Sequence, residues 1–361
     1  MIDTREFDDF REIVFYQKRV KGVDLTKHGL DPQNPSQTQL NELLCSMPQK
    51  KIEIRIDPLF GNYSLHTTLI SEERANRPVV IKPRKSDFVD SSSCDFCKPR
   101  VYSETAVPKI HHGGQQIVTA PNLFPFISPH FVTMFAGHKT SLEDLTSEDI
   151  ANYLSSGMAL ARRLQDEGCN GMWDFINWGA AAGGSQPHPH SQRGGLYNRM
   201  ISLMDKECGA LRDRKTALNG EDPFEVYMDL VRKSPMLIYE DDDVFVFAPY
   251  APRFTDQVDI FTKKKDRCVS NYLELDAKII PSISKAMAAV LGDLSTKRGV
   301  TDLNVETHQA RFNGSEDYRM HWHIYPRKSA IAGMELNDIY IVSAYPEDTA
   351  RALSKPRPSI Q

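Results

Sequence analysis

Residues 184–192, Gly-Ser-Gln-Pro-His-Pro-His-Ser-Gln, place His188 and His190 two apart between prolines, with Gln192 two further on. Side chains two apart in an extended segment share a face, so the two imidazoles point together. Pro187 and Pro189 have no N–H and fix φ, which stiffens the segment and argues for positioning. Each imidazole has one donor and one acceptor nitrogen, and can bind a metal, act as a base or attack phosphorus. Just upstream, Asn177 to Gln186 reads NWGAAAGGSQ. Glycines such as Gly183 and Gly184 let backbone N–H groups approach a ligand closely, and such amide clusters suit phosphate oxygens. The combination proposes an imidazole facing a phosphate.

The same H-x-H spacing returns at His321-Trp-His323, and His190 and His323 stand 133 residues apart. The surroundings repeat as well. Strand-like FVTMFAG leads to LTSEDIANYLSSGMALARRLQ, an amphipathic helix with an N-cap signal and Ile150, Leu154, Met158 and Ala161 on one face, then to MWDFINWG and the first pair. Strand-like DVFVFAPY and QVDIFTKK lead to helical LELDAKIIPSISKAMAAVLGDL, then to DLNVETHQARF and the second pair. The period is too long for a solenoid unit and suits two α+β halves, here 51–215 and 216–361.

Residues 1–50 read as a separate N-terminal arm, partly helical, because DDFREIVFYQKRV spaces its apolar residues helically before a turn-rich connection. KIEIRIDPLFGNYSLHTTLI then alternates, with Ile52, Ile54 and Ile56 on one face, and reads as a hairpin. At 361 residues, two domains or one fused double domain is expected. The chain is 40% hydrophobic and 25% charged with a net charge of -4, so nothing global points to nucleic acid or an anionic membrane. The N-terminus reads as neither a signal nor a transit peptide, and no apolar run approaches the roughly 18 residues of a membrane helix. Six dispersed cysteines do not form a disulfide framework, and a reducing cytoplasm is the expected setting.

Cys94-Asp-Phe-Cys97 is a C-x-x-C that needs two further ligands for a tetrahedral zinc site. His111, His112, His130, His138 and one of His188 or His190 are candidates. In the second half His308, His321 and His323 lie on two strand-like segments, and with one carboxylate they would make a mononuclear site for zinc or iron.

From about residue 51 to 350 the sequence resembles the galactose-1-phosphate uridylyltransferase branch of the histidine-triad superfamily, including its nucleotide-sugar phosphorylase relatives. IDPLFGNYSL with ERANRP, CDFC, NLFPF, GHKTSLEDL, NWGAAAGGSQPHPHSQ, SPMLIYEDDDVFVFAPYAPRF, ETHQARF, HWHIYPR and GMEL with YPED carry the likeness in order. The resemblance implies an α+β fold of two fused histidine-triad-like halves, in a mostly antiparallel extended sheet with packed helices. It implies a homodimer in which partner residues complete each pocket. It casts His190 as the nucleophile that attacks the α-phosphorus of a nucleotide sugar, giving a nucleotidyl-imidazole that a second phosphate then takes up. Gln192 matches the neutral donor to a phosphate oxygen, with Ser185 in the same catalytic set. Cys94, Cys97, His138 and His188 match the zinc ligands; Glu207, His308, His321 and His323 match a second metal site. Arg74, Arg77, Asn122, Asn177, Gly183 and Gly184 match positions that hold nucleotide and phosphates, joined by Lys328, Gly333 and Glu335.

Several residues depart from the family pattern. Gln186 replaces an asparagine, Ser191 is as in the phosphorylase-like relatives, Leu123 stands where some uridylyltransferases carry an aspartate, and Val342 where relatives often show asparagine. The expected activity is therefore nucleotidyl transfer from a nucleotide sugar to a sugar 1-phosphate or similar acceptor. Alternatives are a nucleotide-sugar or dinucleoside-polyphosphate phosphorylase using inorganic phosphate, and a silent zinc-stabilised nucleotide-binding module.

Overall fold

The computed structural model describes residues 12–16, 50–59, 67–71, 94–97, 107–112, 115–198, 200, 202–263, 269–315 and 317–354. A small sheet holds β1 (Glu12–Tyr16), β2 (Lys50–Ile56), β3 (Thr67–Ile70) and β14 (Ile339–Val342). The large sheet takes β4 (Val107–His112), β5 (Gln115–Pro121), β6 (His130–Met134), β7 (Gly171–Trp178) and β8 (His190–Leu196) from the first half. From the second it takes β9 (Leu237–Glu240), β10 (Val244–Phe247), β11 (Val258–Thr262), β12 (Leu303–His308) and β13 (His321–Pro326).

Its order is β4-β5-β6-β8-β7-β12-β13-β11-β10-β9, a palindrome about the β7–β12 seam. The seam is antiparallel, with Asn177 opposite Asn304 and Phe175 opposite Glu306. Each H-x-H lies at the start of an equivalent strand, β8 and β13, one place out from the seam. The two expected α+β halves are thus fused edge to edge, and closing one sheet across both removes two free edges.

Helix α1 (Ser147–Asp166) precedes β7 and α4 (Ile280–Arg298) precedes β12, and the two pack against each other over one sheet face. Helix α1 starts where its capping box predicts: the Thr146 hydroxyl accepts the Asp149 N–H while the Asp149 carboxylate accepts from Thr146. Ile150, Leu154 and Ala161 of α1 and Ile283, Met287 and Leu291 of α4 are buried on Met172, Ile176, Val305 and Ile324. Each such aliphatic side chain contributes about 1.5–3 kcal/mol. Alternation along β7 sends Met172 and Ile176 into this layer and leaves Trp173, Phe175 and Asn177, all half-buried, on the other face. That other face carries the candidate site residues His190 and Gln192. Helices α2 (Leu203–Ala217) and α3 (Pro223–Arg232) link the halves, and α5 (Pro346–Leu353) follows β14. No described helix is long and apolar enough to cross a membrane.

Locally the structure departs from expectation in two elements, the N-terminal arm and the start of α4. The described part of the N-terminal arm is strand, not helix: Glu-Ile-Val-Phe-Tyr is β-branched and aromatic, and pairs antiparallel with β2. The β2–β3 hairpin forms, yet its buried side is the charged one, with Glu53 and Arg55 buried and Ile54 and Ile56 only half-buried. Arg55 bonds Glu53 at 2.8 Å and Glu347 of α5 at 2.9 Å, and lies over the Tyr250 ring, so pairing outweighs apolar burial there. Helix α4 begins at Ile280 rather than near Leu273, because Pro281 is tolerated only in a first turn. The boundary expected at 215/216 falls in the last turn of α2.

Candidate active site and metal clusters

Strand β8 lies between β6 and β7, with Gln192 paired to Val132 on one side and Phe175 on the other. His190 and Gln192 therefore share the open face with Phe175, and the register carries Asn177 alongside His190. The buried His190 ring has Nδ1 2.8 Å from the His188 carbonyl oxygen. A carbonyl only accepts, so Nδ1 carries the proton and Nε2 the lone pair. Burial lowers the His190 pKa below its ordinary value, against the raising effect of that hydrogen bond. The ring is then neutral at pH 7, as a nucleophile must be.

The neighbouring His188 is turned the other way. Its Nε2–H donates to the Phe135 carbonyl at 2.9 Å, so its Nδ1 lone pair faces the two cysteines. His188 Nδ1 lies 3.7 Å from Cys94 Sγ and 3.4 Å from Cys97 Sγ, and His138 Nδ1 lies 3.5 Å from Cys97 Sγ. Zinc bonds of about 2.3 Å to sulfur and 2.0 Å to nitrogen put ligands roughly 3.6 Å apart on a tetrahedral edge. Burial and Cys94 push the Cys97 thiol up to about 11, so paired thiolates here call for a cation. The four residues fit a metal ion. Phe96 sits edge-on to both His188 and His190, with centroids at 5.9 and 5.2 Å, and so touches both the cluster and the candidate nucleophile.

The second cluster draws Glu207 from α2, His308 from β12 and His321 and His323 from β13, with candidate ligand atoms within 4.8 Å of one another. All four residues are buried. His308 Nδ1 meets Glu207 Oε2 at 2.9 Å, and the Tyr318 hydroxyl donates to the same oxygen at 2.6 Å. Burial would lower the His308 pKa, but Glu207 outweighs it and the ring rises to about 9. His321 donates from Nδ1 to the Arg319 carbonyl at 2.7 Å, which leaves a buried Nε2 without a hydrogen-bond partner among the described residues. That orphaned lone pair among carboxylate and imidazoles fits a metal ion too.

No family model matches the chain. An ADP-glucose phosphorylase from Arabidopsis thaliana is 22% identical over 347 residues, which cover 85% of this chain and 94% of that protein. The crystal structure of an ADP-glucose phosphorylase from Arabidopsis thaliana with bound ADP-glucose matches with a TM-score of 0.70 at 19% identity, over 85% of this chain and 99% of that one. A uridylyltransferase structure matches with a TM-score of 0.59 at 22% identity, over 68% of this chain and 86% of that one. The chain shares its fold with these two structures.

Within this uridylyltransferase-like fold the other expected residues fare differently. Asn177 joins His190 and Gln192, while the exposed Ser185 lies in the loop leading to them. Arg74 and Arg77 lie outside the described residues, as do the side chains of His111 and His112. Asn122 accepts the Phe124 N–H at 2.9 Å and reaches His130, whose Nε2 is 3.1 Å from Gln192 Oε1. His130 thus leaves the list of metal ligands and becomes a neighbour of Gln192. When its Nε2 carries the proton it donates to Gln192 Oε1, which leaves the glutamine NH2 for a ligand.

Four N–H groups of the glycine loop are already taken. The N–H groups of Ala182, Gly183 and Gly184 bond within the loop and that of Ala181 donates to Asp302 at 2.8 Å, so these four are not left for a phosphate. Gly184 is required because a Cβ would come within 2.8 Å of the Asn177 and Gly179 carbonyls. Lys328 is also committed elsewhere, bonding Asp256 at 2.6 Å and the Arg298 carbonyl at 2.8 Å. Gly333 and Glu335 lie in the connection from β13 to β14, where Glu335 accepts the Ala332 N–H at 3.0 Å. Sequence reasoning missed Asn304, Arg327 and Phe96, although Phe96 stood inside the C-x-x-C.

Proposed function

We propose that the chain is a nucleotidyltransferase that moves a nucleoside monophosphate from a nucleotide sugar to a phosphate acceptor through His190. One observation carries the reading: a buried, neutral imidazole whose Nδ1–H is held by the His188 carbonyl and whose Nε2 lone pair is left for attack. In the first step His190 Nε2 attacks the α-phosphorus. An N–P bond forms, the bond from that phosphorus to the bridging oxygen breaks, and sugar 1-phosphate leaves with the electron pair. In the second step a phosphate oxygen of the acceptor attacks the same phosphorus and the imidazole recovers its lone pair. Gln192 and Asn177 donate to non-bridging oxygens, whose charge grows during both steps.

Cys94, Cys97, His138 and His188 would hold zinc, and Glu207, His308, His321 and His323 a second zinc or iron ion. Bound metal supplies a rigid cross-link there, fixing the strand that carries the nucleophile. The acceptor is a sugar 1-phosphate in the first reading. Likeness to an ADP-glucose phosphorylase favours a second, in which inorganic phosphate accepts the nucleotide. The same proposal includes a cytoplasmic homodimer whose second copy completes the pocket near Gly333 and Glu335.

The test is the intact mass of the protein after exposure to UDP-glucose or ADP-glucose. A nucleotidyl adduct that His190→Ala abolishes supports transfer. Product analysis with glucose 1-phosphate, galactose 1-phosphate or inorganic phosphate then separates the two readings. No adduct and no exchange with either nucleotide sugar would refute the proposal.

A further inference from the structure

What the Asn177 amide presents to a ligand depends on which end the protein holds, since one end donates and the other accepts. Two residues of the other half decide it. Arg327, just after β13, has only donors, and its Nη1 lies 2.8 Å from Asn304 Oδ1. That fixes the Asn304 oxygen. The Asn304 NH2 then donates to Asn177 Oδ1 at 2.8 Å and to the Ala182 carbonyl at 2.9 Å. A carbonyl can only accept, so the orientation of Asn304 is fixed from both ends. Asn177 Oδ1 is consumed, and Nδ2 is the end left over, close to Gly183 and alongside His190 in the sheet register.

We propose that Asn304 and Arg327 are positioning residues, which lock the Asn177 amide with its NH2 toward phosphoryl oxygens held at His190. The inference rests on the nucleotidyl-transfer reading above. It gives the second half a part in the reaction, because β12 and the end of β13 determine the polarity of a contact on β7. Polarity matters: an amide turned by half a rotation would aim its oxygen at the phosphate and repel it.

Asn304→Asp tests this at constant size. A carboxylate still accepts from Arg327, but it also accepts from Asn177, whose NH2 turns toward it and away from the ligand. The expected result is a fall in adduct formation and kcat of about 10²-fold, with KM for the nucleotide sugar changed by no more than about threefold. Metal content should stay at the wild-type value, and the melting temperature should fall by only a few degrees, because the Ala182 carbonyl loses its donor. Arg327→Gln keeps a donor and should restore most of the rate, whereas Arg327→Met should not. Wild-type rates in Asn304→Asp, or equal losses in both Arg327 variants, would overturn the positioning role alone.

Binding of UMP and AMP by calorimetry supplies a readout independent of turnover. Weaker binding in Asn304→Asp, in a protein that forms no adduct, would refute transfer and leave the positioning standing. A wild-type chain that binds neither nucleotide overturns both.

Discussion

Arg193→Met is expected to cost about 3–5 kcal/mol. Arg193 and Asp174 face each other across β8 and β7, directly behind Gln192 and Phe175, and neither side chain is exposed to solvent. Arg193 Nε stands 3.1 Å from Asp174 Oδ2, an ion pair without hydrogen-bond alignment. The guanidinium also donates to the Ser156 hydroxyl at 2.6 Å and the Tyr153 carbonyl at 2.8 Å. Burial alone would lower the Arg193 pKa, and Asp174 outweighs it. Methionine fills much of the space, so the cost comes from the charge left on Asp174. The Tyr153 and Tyr272 hydroxyls, at 2.8 and 2.7 Å from Asp174, keep that cost from rising further. Asp174→Asn should also destabilise, by stranding the guanidinium, and the double variant should lose at least about 1 kcal/mol less than the sum. Urea unfolding of the metal-loaded protein at pH 7, followed by tryptophan fluorescence and far-ultraviolet circular dichroism, measures all three. Both side chains leave their strands on the helix side, so folded variant molecules should form adduct at the wild-type rate. A loss below about 1 kcal/mol in Arg193→Met, or strict additivity, would refute the reasoning.

Cys94→Ser should remove about one equivalent of metal per chain and destabilise the fold on the order of several kcal/mol, while the Glu207 cluster keeps its ion. Elemental analysis and thermal melting check this, and an unchanged metal content would count against the cluster. Asp256→Asn should cost about 2 kcal/mol at pH 7. The buried Asp256 is held below its ordinary pKa because Lys328 and Arg298 outweigh its burial. Its contribution is complete above the unfolded-state value of about 3.9 and disappears as pH falls through the lower folded value. The gap between wild type and variant in urea unfolding should therefore close in acid, and a gap that persists there would exclude this cause.

The large architecture was legible because it rests on local patterns and their repetition. Alternation marked β2 and β3, strand-like apolar runs marked β10, β11 and β12, the Thr146 box marked the start of α1, and the repeated H-x-H marked two halves. Period identifies faces, but it does not say which partner a face meets. Ile54 and Ile56 alternate with Glu53 and Arg55, and Glu347, 292 residues after Arg55, is what buries the charged side. Nor does spacing choose among histidines: His130 and His138 flank β6, and only the turn of the chain after Met134 brings His138 to the cysteines while His130 meets Gln192.

The glycine loop shows the converse, since its composition suits an amide cradle while the N–H groups from Ala181 to Gly184 are engaged within the protein. In the proposed transfer the Asn177 side chain is the donor aimed at the phosphate, and its direction is decided by Asn304, 127 residues away. An amide has no preferred end in the sequence. Its polarity arises only when a donor-only residue such as Arg327 closes the chain of hydrogen bonds, so that information belongs to the fused sheet rather than to either half.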